Sequence, residues 1–131
     1  MPAFVASKVV KLMIAKDVSI RGAKVLILGI TFKENCPDLR NTKVVDVYTE
    51  LKEYGVDVDV YDSWADPIDV KHEYELDMLS ILDESKKYDA VVLAVSHHEF
   101  LEIDLNKLKK DNAVVFDLKA CLDRTLVDAR L

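Results

Sequence analysis

The chain has 131 residues and a formal net charge of −6, with 50% hydrophobic and 32% charged residues, which is typical of one globular domain. This acidic balance argues against a nucleic-acid partner, because non-specific binding to nucleic acid requires a basic face. No apolar run approaches the roughly 20 residues of a membrane helix, and no secretory signal follows Met1, so we expect a cytoplasmic protein without a membrane partner.

Residues 3–16 predict an amphipathic helix, because apolar side chains such as Phe4, Val9 and Met13 recur at helical spacing. Its apolar face is wide for an opening helix, so we expect it to pack on something that precedes it. A turn containing Gly22 follows. We therefore divide the chain into a leading helix, residues 1–22, and an α/β domain, residues 23–131.

Four apolar segments predict the strands of a sheet: residues 24–29, 56–62, 89–95 and 113–118. The first is continuously apolar, as buried parallel strands are. The second alternates apolar and acidic residues, which places it nearer an edge.

The segments between the strands predict helices. We expect one over residues 41–54, capped by Asn41 or Thr42 and ended by Gly55. A short helix is expected near residues 77–83, one or two within 97–110, and a helix or frayed end over 123–131. The alternation predicts a three-layer, Rossmann-like α/β domain with a mainly parallel sheet and a leading N-terminal helix.

The loop after the first strand is the main candidate site, because open α/β sheets bind ligands beyond the carboxyl ends of their strands. It contains Gly29 but not the Gly-x-Gly-x-x-Gly turn that cradles a dinucleotide pyrophosphate. Instead it offers Lys33 and Arg40 ahead of a helix N-terminus, which suits a phosphate or diphosphate. Alternatively, these two cations pair with Glu34, with Asp38 or with solvent.

Polar residues also follow the other strands. Asp62 either binds a ribose hydroxyl or caps the next turn. His97 and His98 are adjacent and should point apart, with no third ligand at suitable spacing, so we expect no zinc site. His97 then lies at the ligand edge or packs inside. Lys119 either faces the same cleft as Lys33 or is solvated.

The cysteines are assigned no catalytic role. Cys36 and Cys121 lie far apart without metal-type spacing, which fits a reducing compartment. Cys36 has no local histidine base, so a small apolar role is favoured over a nucleophilic one.

The string GITFKENCPDLRNTKVVDV, residues 29–47, resembles the C-terminal domain motif of the UDP-glucose/GDP-mannose dehydrogenase family. VDVYDSWAD, AVVLAVSHHEF and VVFDLKACLD agree in order and spacing, and MPAFVASKVVKLMI is similar to the helix that leads into this domain. The run ENCPDLRNT is closer to the UDP-N-acetylhexosamine branch of the family than to the UDP-glucose branch.

The resemblance implies the C-terminal, UDP-sugar-binding domain of an NAD-dependent UDP-sugar 6-dehydrogenase. Such enzymes oxidise the carbon-six alcohol to a uronic acid in two steps and supply polysaccharide biosynthesis. An N-terminal NAD-binding domain, a catalytic cysteine in a glycine-rich segment and a central dimerisation helix precede the domain, and residues 1–22 would end that helix. The chain lacks the glycine-rich segment and the NAD fingerprint. We therefore expect it to be inactive alone and NAD to be bound mainly by the N-terminal domain.

Residue by residue, the resemblance places Lys33 on the motif lysine beside the nucleotide sugar, with Phe32 as its neighbour. Arg40 matches the motif arginine that meets the cofactor across the interdomain cleft. Lys119 lies near a basic position that contacts the nucleotide sugar in relatives. With His97 at the ligand edge, these residues form the predicted binding set, which includes no catalytic residue and no metal ligand.

Two other functions occur on small α/β domains of this kind. A receiver-like signalling domain needs an acidic pair after the first strand and a phosphoacceptor aspartate after the third, but Gly29–Thr31 and Ser96–His97 stand there. A stand-alone nucleotide-binding or regulatory module would share the fold and the anion site without an enzyme partner, and this alternative stays open.

Overall fold

The computed structural model describes residues 2–31, 33–39, 42–83, 85–119, 122 and 127–130. The strands of the described chain are β1 (Lys24–Leu28), β2 (Asp57–Tyr61), β3 (Tyr88–Leu93), β4 (Lys109–Asp117) and β5 (Ala129–Arg130). The helices are α1 (Pro2–Ala15), α2 (Val44–Glu53), α3 (Pro67–Tyr74) and α4 (His98–Leu101), followed by a 3-10 turn over Leu105–Lys107.

The strands form one parallel sheet in the order β2-β1-β3-β4-β5. β1 and β3 lie inside the sheet, which explains why their sequences are almost continuously apolar and buried. β2 lies at the edge and alternates buried with more exposed residues, so the predicted edge position of the second strand is confirmed.

The sheet separates two apolar cores, which produces the predicted three layers. On one face, α1 and α2 pack through side chains such as Val9, Met13 and Leu51. On the other face, α4 and the 3-10 turn contribute Phe100 and Leu105. The predicted Rossmann-like architecture with a leading helix is therefore confirmed.

The buried stripe of α1 packs on this chain's own core rather than requiring a preceding segment to cover it. Val5, Val9 and Met13 are buried there, whereas Phe4 and Ile14 remain 56% and 57% exposed on the outer side. None of the described helices has the length and apolar character needed to cross a bilayer.

The helix predicted near residues 77–83 is wrong, because the helix in this region is α3, which begins ten residues earlier. Asp66 caps its N-terminus by accepting a hydrogen bond from the Ile68 N–H, and Pro67 occupies the first turn. Glu75 ends α3 in a left-handed conformation. Further along, Leu79 forms a parallel bridge to Tyr61 at the sheet edge.

Two other local predictions differ from the structure. The N-cap of α2 is Lys43 and not Thr42, although the Thr42 hydroxyl still accepts a hydrogen bond from the Val44 N–H; Asn41 lies outside the described residues. Near the end of the chain, a helix or frayed segment was expected, but Ala129 and Arg130 pair with β4 as a short strand.

Candidate functional site

The loops that follow β1, β2, β3 and β4 lie at the carboxyl edge of the sheet, as a parallel arrangement requires. Hydrogen bonds between the strand exits hold them close. The Gly29 N–H donates to the Tyr61 carbonyl at 2.8 Å, and the Ala94 N–H donates to the Leu28 carbonyl at 2.9 Å. This edge therefore contains Lys33, His97 and Lys119, which are the described members of the predicted binding set.

Asp62 is the buried centre of this edge. Its side chain is fully inaccessible, and Oδ2 accepts hydrogen bonds from the backbone N–H groups of Ile30 at 2.7 Å and Thr31 at 3.1 Å. Oδ1 accepts from the Trp64 N–H at 2.7 Å. Burial by itself raises the pKa of Asp62, but hydrogen bonds from His97 and from these backbone groups outweigh it and hold the pKa below its ordinary value.

The amides that follow Gly29 are therefore already bound to an anion of the protein itself. In a dinucleotide-binding turn, amides at this position face the pyrophosphate. Here the Asp62 carboxylate occupies them and also caps the following turn through Trp64, which is the second of the two interpretations of Asp62. The N–H groups of Ile30 and Thr31 are therefore not free to bind a phosphate.

His97 is completely buried and is bonded through both ring nitrogens. Nδ1 accepts a hydrogen bond from the Asn35 N–H at 2.8 Å, while Nε2 lies 3.0 Å from Asp62 Oδ2 and 3.0 Å from Thr31 Oγ1. Because Nδ1 is an acceptor, the ring proton is on Nε2, which donates towards Asp62 and Thr31. The Thr31 hydroxyl in turn donates to the Lys33 carbonyl at 3.1 Å.

An aromatic and polar layer covers this cluster. The Trp64 indole stacks on His97 with ring centroids 5.9 Å apart, and its Nε1–H donates to Glu99 Oε2 at 2.9 Å. His98 is exposed, and its backbone N–H donates to Asn35 Oδ1 at 3.0 Å. The two histidines differ in burial: the His97 side chain is inaccessible, whereas that of His98 is 62% exposed. Within the described ranges, no group of three or more His, Cys, Asp or Glu is arranged to hold a metal ion.

The two predicted ligand lysines are exposed at this edge. Lys33 lies in the loop after β1 and Lys119 in the loop after β4, and neither forms an ion pair with a described residue. Asp117 shapes the second loop by accepting hydrogen bonds from the N–H groups of Lys119 at 3.0 Å and Leu122 at 2.8 Å. Lys33 is thus not neutralised by Glu34, which was one of the alternatives.

Other predicted residues cannot be placed. Phe32 and Arg40, assigned to the substrate and the cofactor, lie outside the described residues, as does Cys121. Their roles stay predictions. Cys36 is a partly buried free thiol.

A cleft of about 410 Å³ lies at the opposite, amino edge of the sheet, where Arg21, Asp89 and Lys110 line it. Two of its charged side chains, Asp89 and Lys110, are paired with each other. Asp89 accepts a hydrogen bond from the Lys24 N–H at 2.8 Å and forms an ion pair with Lys110 at 3.1 Å. The carboxyl edge is the better candidate for an anionic ligand, because it presents two exposed lysines without ion-pair partners among the described residues, whereas Lys110 in the cleft is already paired with a carboxylate.

Comparison with known proteins identifies the family. The profile of the UDP-glucose/GDP-mannose dehydrogenase family, UDP binding domain, matches residues 26–124. The chain belongs to this family. The match includes most of β1, all of β3 and the loops described above, so the family resemblance of the motif strings is confirmed.

Relatives within the UDP-glucose/GDP-mannose dehydrogenase family match the chain along its length. UDP-N-acetyl-D-glucosamine 6-dehydrogenase of Pseudomonas aeruginosa is 46% identical over 134 residues, covering 100% of this chain and 32% of the relative. The enzyme of the same name from Salmonella typhi is 42% identical and covers 98% and 31%, respectively. The chain therefore spans about a third of the length of these curated relatives.

Solved structures share the fold of this chain. The UDP-N-acetyl-mannosamine dehydrogenase of Staphylococcus aureus superimposes with a TM-score of 0.69 at 26% identity, covering 93% of this chain and 27% of that one. A UDP-D-ManNAc dehydrogenase from Pyrococcus horikoshii has a TM-score of 0.75 at 19% identity, covering 98% and 30%, which shows the shared fold.

Sequence reasoning missed the part played by Asn35 and Thr31. Both lie in the family motif, but their contacts are to His97, 62 and 66 positions away, and no local pattern reveals such partners. One signal was available for Asn35: asparagine in a loop tolerates a left-handed backbone, and Asn35 has φ of 54°.

Proposed function

We propose that this chain is the nucleotide-sugar-binding part of an NAD-dependent UDP-sugar 6-dehydrogenase whose substrate is a UDP-N-acetylhexosamine. The matched family profile describes a UDP binding domain, which supports the nucleotide. The relatives at 46% and 42% identity are named UDP-N-acetyl-D-glucosamine 6-dehydrogenases, which supports the hexosamine class. The full enzyme would oxidise the carbon-six alcohol to a uronic acid.

The observation that carries this proposal is the charge arrangement at the carboxyl edge. Lys33 and Lys119 are exposed there on a chain with a net charge of −6, and neither is neutralised by a described residue. The Asp62 carboxylate already occupies the amides of the first turn, so a diphosphate would meet lysine side chains instead. Arg40 would add a bidentate contact on the cofactor side, and Phe32 would flank the nucleotide sugar.

NAD would be held mainly by a part of the enzyme outside this chain. The turn after β1 contains a single glycine, and the N–H groups of Ile30 and Thr31 are engaged by Asp62, so this turn does not fit a dinucleotide pyrophosphate. NAD would supply the hydride acceptor. The described residues of this chain would bind and orient the nucleotide end of the substrate, and the chain alone would be inactive.

The partner of this domain would be an N-terminal NAD-binding domain of the same polypeptide. Relatives about three times as long as this chain support that arrangement. Residues 1–22 would then be the end of a central helix through which the cytoplasmic enzyme forms a homodimer. Phe4 and Ile14, which are exposed on α1, offer apolar surface for such packing.

Titration of the 131-residue chain with UDP, and separately with NAD, tests the proposal through backbone amide shifts. Both ligands should reach millimolar concentrations, because half of a composite site binds weakly. We expect UDP-selective shifts at the amides of Lys33 and Lys119, and weaker shifts with UMP, which lacks the second phosphate. Shifts with NAD alone would reassign the domain to cofactor binding. No response to millimolar UDP would contradict a UDP site on this chain.

A further inference from the structure

We infer that Asn35 is a positioning residue for the nucleotide sugar, because it fastens the loop that carries Lys33 to the two histidines that follow β3. The inference rests on the proposed function, since it concerns the same UDP site. Asn35 acts through the loop backbone and needs no contact with the ligand. His97, predicted from the sequence as a ligand contact, then acts as the anchor of that loop.

Asn35 joins the two loops through its backbone and its side chain together. Its N–H donates to His97 Nδ1 at 2.8 Å, and its Oδ1 accepts from the His98 N–H at 3.0 Å and lies 3.1 Å from His98 Nδ1. Asn35 makes these contacts from a left-handed backbone at φ 54°, which asparagine tolerates better than most side chains.

The anchor to which Asn35 is tied is itself rigid. His97 has no exposed surface and its Nε2 is bonded to Asp62 and Thr31. Asp62 also holds the N–H groups of Ile30 and Thr31, which begin the same loop. The loop is thus hydrogen-bonded to the buried residues Asp62 and His97, at its start and again at Asn35.

Lys33 lies between the hydrogen bonds at the start of the loop and those of Asn35, and a further hydrogen bond follows later in the loop. The Thr31 hydroxyl donates to the Lys33 carbonyl at 3.1 Å, which restrains the backbone of the lysine directly. Beyond Asn35, the Tyr74 hydroxyl of α3 donates to the Leu39 carbonyl. The Lys33 side chain is exposed, yet its backbone is held on both sides, so its ammonium group is presented from a defined point.

Presentation from an ordered loop increases affinity, because the ligand does not have to order the loop on binding. Removing one of these hydrogen bonds leaves the charge of Lys33 unchanged but allows its backbone to move. The loss of one hydrogen bond of ordinary strength corresponds to roughly a threefold to tenfold weakening of UDP binding.

Asn35→Gly is the first test, because glycine keeps the left-handed backbone and the N–H group while removing the bond to His98. Asp17→Gly is the matched control: Asp17 has a similar φ of 61° but lines the cleft at the amino edge of the sheet. We expect Asn35→Gly to raise the UDP Kd by about threefold to tenfold and the control by less than about twofold. Equal Kd values for Asn35→Gly and wild type would overturn the inference.

Two substitutions of His97 separate positioning from stability. In His97→Asn, the amide oxygen replaces Nδ1 and keeps an acceptor for the Asn35 N–H; in His97→Gln, the amide N–H replaces Nε2 and keeps a donor to Asp62. We expect His97→Gln to lose more UDP affinity and His97→Asn to lose more thermal stability. If the same variant lost more of both UDP affinity and thermal stability, His97 would have a merely structural role and the inference would be contradicted. If neither variant folds, Asn35→Gly decides alone.

Failure of the proposed function gives a different result, namely no UDP response from the wild-type chain. Amide hydrogen exchange then still tests the loop itself. Asn35→Gly should exchange faster than wild type between Thr31 and Leu39, whereas Asp17→Gly should not. Unchanged exchange in Asn35→Gly would overturn the positioning role, whether or not UDP binds.

Discussion

Gly29 and Val95 are in contact at the point where β1 leaves the sheet: a Cβ on Gly29 would lie 2.6 Å from Val95 Cβ and 2.8 Å from the Val95 nitrogen. Gly29 also has φ of +101°, which side chains of L-residues rarely adopt. β1 and β3 are adjacent strands, so this contact sets the distance between the starts of the two loops that follow them in the candidate site.

Gly29→Ala should destabilise the fold by about 2–4 kcal/mol, because the new methyl group meets Val95 and the backbone is strained at positive φ. Gly22→Ala is the control, since Gly22 has φ of +82° but no atom within 4 Å of an added Cβ. Backbone strain at positive φ should by itself lower the free energy of unfolding of Gly22→Ala by about 1 kcal/mol. Urea unfolding measures both, and equal losses would show that the contact with Val95 relaxes without penalty.

Asp62→Asn should lower the free energy of unfolding by about 2–4 kcal/mol, because the amide nitrogen replaces an acceptor that serves buried donors. The donors left without a full partner are the N–H groups of Ile30 and Thr31 and the His97 ring. Asp66→Asn is a matched control at an exposed N-cap, where asparagine caps as well as aspartate, and should change stability by less than about 0.5 kcal/mol. A loss at Asp62 no larger than at Asp66 would contradict the assigned network.

The stability that Asp62 contributes should depend on pH in a defined direction. Burial raises the pKa of Asp62. Hydrogen bonds from His97, Ile30 and the other donors together lower it by more than burial raises it, so the pKa lies below the ordinary value of 3.8. A group with a lowered folded pKa stabilises the fold above its unfolded pKa, and loses that contribution as pH falls through the folded one.

The difference in unfolding free energy between wild type and Asp62→Asn should therefore be constant above about pH 5 and shrink below about pH 4. Urea unfolding of both proteins from neutral to acid pH measures it. A difference that grows towards acid would mean that the carboxyl group is not the charged acceptor described here.

Lys33→Ala should weaken UDP binding by about tenfold, because a lysine beside a diphosphate makes a charge-assisted contact. Lys11→Ala removes a charge that is also exposed, on α1, and should change the Kd by less than about twofold. Rising salt should weaken UDP binding by the wild type more than by Lys33→Ala, because salt screens the contact between the Lys33 ammonium group and the diphosphate, which the variant lacks. Equal effects of the two substitutions would place the diphosphate away from the loop after β1.

Local sequence patterns predicted the parts of the fold that depend on neighbouring residues. The apolar runs of β1 and β3, the alternation in β2 and the turn at Gly55 each reflect burial or backbone chemistry within a few positions. The helix near residues 77–83 was misplaced because the prediction did not use the Asp66-Pro67 start signal of α3. β5 was missed because two residues carry too little pattern to distinguish a strand from a frayed end.

The sequence by itself determined the α/β class, the family and the selection of Lys33 and Lys119, because periodicity and motif strings are local properties of the chain. Only the tertiary structure showed which groups Asp62 and His97 bond to. They are 35 positions apart, and each was open to a ligand-binding and a structural interpretation. Their partners depend on which loops the parallel sheet brings to one edge, and a buried polar group bonds to whatever that edge supplies.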